Sequence, residues 1–262
     1  CADPNPDTWR PYKDAGIACF HDAESALAVK TDVVFVLSPN SLHARHSAQS
    51  LSRGVDVFCE KPACFDVSEL DVLLDLARAR QSRFHAAYHS RYRPEVRHLT
   101  TCNIKDVVSF SQAYLEDWRA SPAWYREPNL SGGGVALDVG INHLDWLMDI
   151  LGPLTPSAVQ MDAAAVEETC CATWTFPGGV GRTEWSWNAQ PEMRCTRLLS
   201  RSRGEIILDH DRCEVTIDGD VVGPWPNDEY STSLGVFLAG PRCDERQVHT
   251  TRRLIESVAS LY

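Results

Sequence analysis

Apolar positions in the first hundred residues fall into short continuous runs separated by stretches of helical period. Residues 31–37 form one such run with three valines, ended by Ser38-Pro39-Asn40. A run of this length suits a strand buried on both faces. The pattern then predicts a helix over about 42–53, closed by Gly54, and a second strand over 55–59, stopped by Pro62. Asp66 is placed to cap the next helix. In it Leu70, Leu73, Leu74 and Ala77 recur at i, i+3, i+4 and i+7, which makes one apolar face. Residues 83–88 read as a third strand. Strand and helix alternating at this spacing imply parallel βαβ units in a doubly wound sheet.

The pattern changes after residue 95. A strand is expected over 107–114, then a loop rich in Trp and Pro, then Gly132-Gly133-Gly134 leading into a helix from about Val135 to Gly152. Residues 173–176 and 182–187 alternate with period two around Pro177-Gly178-Gly179, a hairpin signal. Further strands fit 204–209 and 213–218, and a terminal helix fits 249–262. The expected fold class is therefore α/β: a Rossmann-like parallel sheet over 1–95, then an α+β unit over 96–262 with an open, mainly antiparallel sheet. The terminal helix can return to the first unit. Cys1 to Pro6 read as the end of a strand entering a loop, so a first βα unit is expected to precede them.

Composition is that of an ordinary globular chain, 44% hydrophobic and 23% charged. The formal net charge of −11 argues against a nucleic-acid partner, which calls for a basic patch. The ten cysteines include no C-x-x-C pair. They read as thiols in a reducing cytoplasm, with no metal site expected. No apolar run approaches the ~18 residues of a membrane helix.

In an open parallel sheet, ligands bind outside the carboxyl ends of the strands. Topology sends Asp3, Ser38-Pro39-Asn40, Glu60-Lys61 and Tyr88-His89 to that edge. Asp3 stands where a carboxylate can accept the ribose hydroxyls of an adenosine, which favours NAD over its 2′-phosphorylated form; a turn or helix cap is the alternative. Lys61 is presented at the sheet edge by the strand before it and the proline after it. Partial desolvation would lower its pKa and suit acid–base work; an ion pair with Glu60 at the surface is the plain alternative. Asp138 and Asn142 lie four apart and share a helical face, with His143 about 100° round from Asn142. A carboxylate and an amide together suit a polyhydroxyl ligand. Trp185 or Trp187 is a candidate to stack on a sugar face, although tryptophan in a strand more often belongs to a core.

The segments Ser38-Pro39-Asn40-Ser41-Leu42-His43, Gly54 through Glu60-Lys61-Pro62, and Gly132-Gly133-Gly134 through Asp138 resemble the glucose–fructose oxidoreductase and inositol dehydrogenase (Gfo/Idh/MocA) family, in order and in spacing. The resemblance implies a Rossmann unit that binds NAD or NADP through Ser38, Pro39, Asn40, His43, Glu60 and Lys61, with NAD favoured by Asp3. It implies Lys61 and Asp138 as catalytic residues, and a second unit that walls the substrate pocket and builds a homodimer or homotetramer through its sheet. It also implies a cis Lys61–Pro62 bond. Two departures stand out. The glycine-rich phosphate fingerprint is absent, and Asn142 occupies a position where many members carry histidine. Asp138-x-Gly140-Ile141-Asn142, with His89-Ser90-Arg91 and Glu116-Asp117, is similar to the aldose 1-dehydrogenase branch. The function implied is hydride transfer between NAD(P) and C1 of an aldose, with Asn142, His143, His89 and Trp185 on the substrate. Reaction at C3 of a sugar, nucleotide sugar or inositol is the alternative, and a cofactor-less binding or scaffold protein of the same fold is a third reading.

Overall fold

The structure is a computed structural model that describes residues 1–102, 104–241 and 245–262. Two short helices, α1 (Arg10–Asp14) and α2 (Ala23–Leu27), come first. They were not read from the sequence, because five residues carry too little of a helical period to register. Ala2 pairs with Phe20 in an isolated parallel bridge. The parallel sheet follows: β1 (Val33–Val36), α3 (His43–Leu51), β2 (Asp56–Glu60), α4 (Val67–Arg80) and β3 (Phe84–Ala87), in the order β1-β2-β3. Its register sets Val36 beside Cys59, and Cys59 beside Ala86. Asp66 caps α4 by accepting from Glu69 N at 2.9 Å, and Leu70, Leu73, Leu74 and Ala77 are all buried.

Burial on both faces holds for β2, where Val57, Phe58 and Cys59 are buried. It fails for β1, where Phe35 is 49% exposed and Leu37, just beyond it, is 67% exposed. The reason is position: among the described residues β1 pairs with β2 alone, so it is an edge strand.

Helix α5 (Pro94–Thr101) leads into β4 (Val107–Asp117). Next come α6 (Pro128–Ser131), a π-helical turn at Ala136–Gly140, and α7 (Ile141–Leu151). Strands β5 (Thr155–Met161), β6 (Thr169–Phe176), β7 (Gly179–Ser186), β8 (Asn188–Ser200), β9 (Gly204–Asp209), β10 (Glu214–Ile217) and β11 (Asp220–Val222) complete a sheet in the order β11-β10-β9-β8-β4-β7-β6-β5. Every pairing is antiparallel except β4 with β7. The hairpin expected at residues 177–179 is present, with Phe176 paired to Gly179. Helices α8 (Glu229–Ala239) and α9 (Glu245–Ala259) close the chain. Helix α9 packs on both α4 and α7: Arg252 pairs with Asp71 of α4, and Thr250 Oγ1 donates to Asp149 Oδ1 of α7 at 3.4 Å.

Candidate active site

The carboxyl ends of β1, β2 and β3 face α7 and the long strands of the second sheet. Between them lies a cavity of about 370 Å³, within the range of small-ligand sites. Ser38, Asn40, His43, Glu60, Lys61 and His89 line it from the first sheet, and Asp138, Asn142 and His143 from the π turn and α7. Of the residues collected by topology in the sequence, Ser38, Asn40, Glu60, Lys61 and His89 therefore do meet, while Tyr88 is buried outside the lining.

Three others are elsewhere. Asp3 is outside the cavity lining, and its carboxylate accepts from Asn5 N at 2.8 Å in a local turn. Pro39 shapes the turn between Ser38 and Asn40 without lining the cavity. Trp185 is fully buried in β7, its indole donating to Gln112 Oε1 at 3.3 Å. It supports the site from beneath and does not stack on a ligand: the alternation of β7 turns it toward the core, against Gly140. Trp187 is likewise buried. The aromatic wall of the cavity comes instead from Trp118, Trp124, Tyr125 and Tyr230. The first three lie in the Trp- and Pro-rich loop, which the sequence reading had not assigned to the site. Nothing in the pattern signalled Tyr230, because α8 has no regular apolar period.

Lys61 precedes Pro62 through a cis peptide bond in the turn after β2. Its ammonium donates to the Asp138 main-chain oxygen at 3.0 Å and pairs with the Asp138 carboxylate. Burial opposes the charge, but Asp138 beside it more than compensates, and the Lys61 pKa is raised. The expectation of a lowered pKa is thus reversed. The desolvation is real, and the partner carboxylate outweighs it. Lys61 is a fixed positive charge at the cavity wall.

Asp138, Asn142 and His143 all line the cavity, although a regular α-helix would turn His143 away. The π turn resolves this. Ile141 N donates to Ala136 O, five residues back, so each turn carries one extra residue and i+5 returns toward the face of i. The turn is anchored by Glu167, whose carboxylate accepts from Gly134 N at 2.9 Å and Ala136 N at 3.1 Å. A side chain at Gly140 would strike the Trp185 ring, at 2.6 Å, so the close approach that seats the turn requires glycine there.

Deeper in, Tyr114 and His143 stack at 3.5 Å between ring centres. Burial pushes the His143 pKa well down, so it is a neutral imidazole. The Tyr114 hydroxyl and His143 Nδ1 have no hydrogen-bond partner among the described residues. Each costs about 1–3 kcal/mol while unmet, an expense that a hydroxyl-bearing ligand would relieve.

His43 spans the edge, its ring nitrogens 2.6 Å from Ser38 O and 2.7 Å from Pro62 O. It ties the ends of β1 and β2 together and so has a positioning part in the edge. The exposed Leu37 forms an apolar lip beside Ser38 and Glu60. An apolar lip next to a hydroxyl and a carboxylate fits a nicotinamide ring and its ribose. None of the described residues supplies a glycine loop for the phosphates.

A parallel sheet whose carboxyl edge opens onto a polar cavity closed by a second sheet defines the class of Rossmann-type oxidoreductases. Residues 3–88 match the oxidoreductase family with an NAD-binding Rossmann fold, and residues 102–216 match the GFO/IDH/MocA C-terminal domain. The chain belongs to the Gfo/Idh/MocA oxidoreductase family. Among curated relatives it is 33% identical over 133 residues to D-glucoside 3-dehydrogenase of Escherichia coli, a match covering 48% of this chain and 37% of that protein. It is 24% identical over 162 residues to an NADP-dependent D-xylose 1-dehydrogenase of Haloarcula marismortui, covering 57% and 43%. These matches span less than half the length of the relatives. The solved structure of levoglucosan dehydrogenase with NADH shares the fold at a TM-score of 0.82 and 18% identity, covering 99% of this chain and 85% of that one.

Proposed function

We propose that the protein is an NAD(P)-dependent oxidoreductase acting on a ring hydroxyl of a sugar. The supporting observation is the Lys61–Asp138 pair set in a cavity with two unmet polar atoms and an aromatic wall. A wall of Trp118, Trp124, Tyr125 and Tyr230 suits the apolar face of a pyranose, and the floor suits its hydroxyls. On this reading residues 1–95 are the dinucleotide-binding unit and 96–262 the substrate-binding and oligomerisation unit, acting as a cytoplasmic homodimer or homotetramer.

A bound nicotinamide dinucleotide supplies the acceptor or donor of the hydride. Ser38, Glu60 and the Leu37 lip hold its nicotinamide half. The Lys61 ammonium sits beside the reacting oxygen and stabilises the negative charge that develops there as the hydroxyl proton leaves. Asp138 fixes the direction of that ammonium. Asn142, Tyr114 and His143 hold neighbouring hydroxyls and orient the ring.

Two positions compete. The resemblance to aldose 1-dehydrogenases supports C1, giving a lactone. Similarity to a protein named D-glucoside 3-dehydrogenase supports C3, giving a ketone. Incubation with NAD or NADP and a panel of free aldoses, methyl glucosides, nucleotide sugars and inositols, followed by product analysis, decides. Turnover of free aldoses but not of methyl glycosides supports C1, and turnover of both supports C3. No reduced dinucleotide from any member would reject the proposal and favour a binding or scaffold role.

A further inference from the structure

With Lys61 held as an ammonium by Asp138, the oxidation needs another proton acceptor, and the hydrogen bonds around His89 single one out. Asn142 cannot be turned either way: its Oδ1 accepts from Ser90 N at 3.2 Å, so its amide nitrogen is the group facing His89. That nitrogen lies 2.9 Å from His89 Nε2. A donor against Nε2 makes Nε2 the bare nitrogen and leaves the proton on Nδ1. Nδ1 in turn faces the Glu229 carboxylate of α8 at 3.5 Å. Glu229 is held by Arg93 at 3.4 Å and by the Asn227 amide at 3.3 Å. Burial opposes its ionisation, yet His89 and Arg93 keep its pKa below the usual range. Tyr230 stacks on the His89 ring at 4.5 Å, its hydroxyl 3.4 Å from Nε2. Burial and Glu229 push the Tyr230 pKa up to about 12, so that hydroxyl keeps its proton and is a second donor. Both His89 and Glu229 line the cavity.

We propose that His89 is the proton acceptor of the oxidation and that Glu229 is its positioning residue. This rests on the sugar oxidoreductase reading. In the step, the C–H bond of the reacting carbon breaks and its electron pair leaves as hydride to an oxidised nicotinamide dinucleotide. The O–H bond breaks and its proton bonds to His89 Nε2, where the substrate hydroxyl has displaced Asn142. The C–O bond becomes C=O. The imidazolium so formed is paired with the Glu229 carboxylate, and the reverse sequence serves reduction. Lys61 stays protonated throughout. His143 is a weaker candidate: it is neutral, but the described residues place no carboxylate against it to stabilise its charged form.

Two measurements test this. Nitrogen NMR of histidine-labelled protein without substrate, with the His89 signals assigned by comparison with His89→Gln, should show His89 with Nδ1 protonated and Nε2 bare. In Glu229→Gln that preference should weaken. In kinetics, His89→Ala should lower kcat by about 10²–10³-fold with sugar KM changed only a few-fold, and added imidazole should restore part of the loss. His89→Gln, which keeps size and polarity, should be as slow as the alanine variant. A proton on Nε2, retained kcat in His89→Ala, or a loss confined to KM would each overturn the assignment. If the unmodified protein oxidises no sugar with either dinucleotide, the sugar oxidoreductase reading falls and the catalytic part of this proposal with it. The NMR result would still decide whether the His89–Glu229 pair is real.

Discussion

Lys61 and Asp138 show how one partner reverses the consequence of burial. Removing the partner should expose the cost. Asp138→Asn leaves the ammonium without a counter-charge, and should lower stability by up to about 3 kcal/mol, less where the cavity admits water. The linkage has a definite sign. The Lys61 pKa is raised in the folded state above its ordinary 10.5. Its stabilisation is therefore complete below that pH and is lost as pH rises through the higher folded value. Denaturant unfolding of the two proteins should accordingly differ most near neutrality and converge in strong alkali; an unchanged gap at high pH would show that the pair does not titrate as described. In catalysis, Lys61→Met keeps the length of the side chain and removes the charge. It should lower kcat by about 10²–10³-fold, the range for loss of one preorganised donor, with dinucleotide affinity measured by fluorescence titration nearly unchanged.

The π turn is the element on which the site depends, since it brings His143 to the same wall as Asp138 and Asn142. Gly140→Ala should push this turn off Trp185, at a cost of about 1–3 kcal/mol. The double variant Gly140→Ala/Trp185→Leu should recover part of that loss, and the coupling appears as a non-additive shift in the denaturant midpoint. Additivity would mean that the ring and the turn do not press on each other. This element also marks what the sequence discloses. Most strands and α4 were legible because their periods are local, whereas β5, β8 and β11 were not read, being largely exposed and so without an apolar alternation along most of their length. The sheet edge followed from topology, which brought Lys61, Glu60, Ser38 and His89 together correctly. The inserted residue of the π turn leaves no mark in a hydrophobic period, so His143 read as turned away. Trp185 read as a ligand platform because alternation in β7 says which residues share a face, and not which face meets the cavity. Glu229 and Tyr230 were invisible for a further reason: their helix reaches the site across more than a hundred residues of chain, and only the fold connects them to His89.

At the scale of the molecule, two readings concern surfaces away from the cavity. Asp3→Ser should raise the use of NADP relative to NAD, by removing a charge that repels a 2′-phosphate; an unmoved kcat/KM ratio would confine Asp3 to its local turn. The outer face of the large sheet carries exposed Val180 and Leu199, both paired with Ser109 of β4. If that face joins subunits, Leu199→Asp should shift the protein toward monomer in light scattering, with the melting curve showing whether each subunit stays folded. The place of β4 has a consequence in time. It lies between β7 and β8, so neither neighbour exists when β4 leaves the ribosome, and the second arrives only with residue 200. At roughly 5–20 residues per second, the strand that becomes the middle of the sheet waits for seconds with both edges bare. Such an edge is open to pairing with other chains. The yield of native protein during synthesis should therefore be governed by what shields residues 107–117 in that interval.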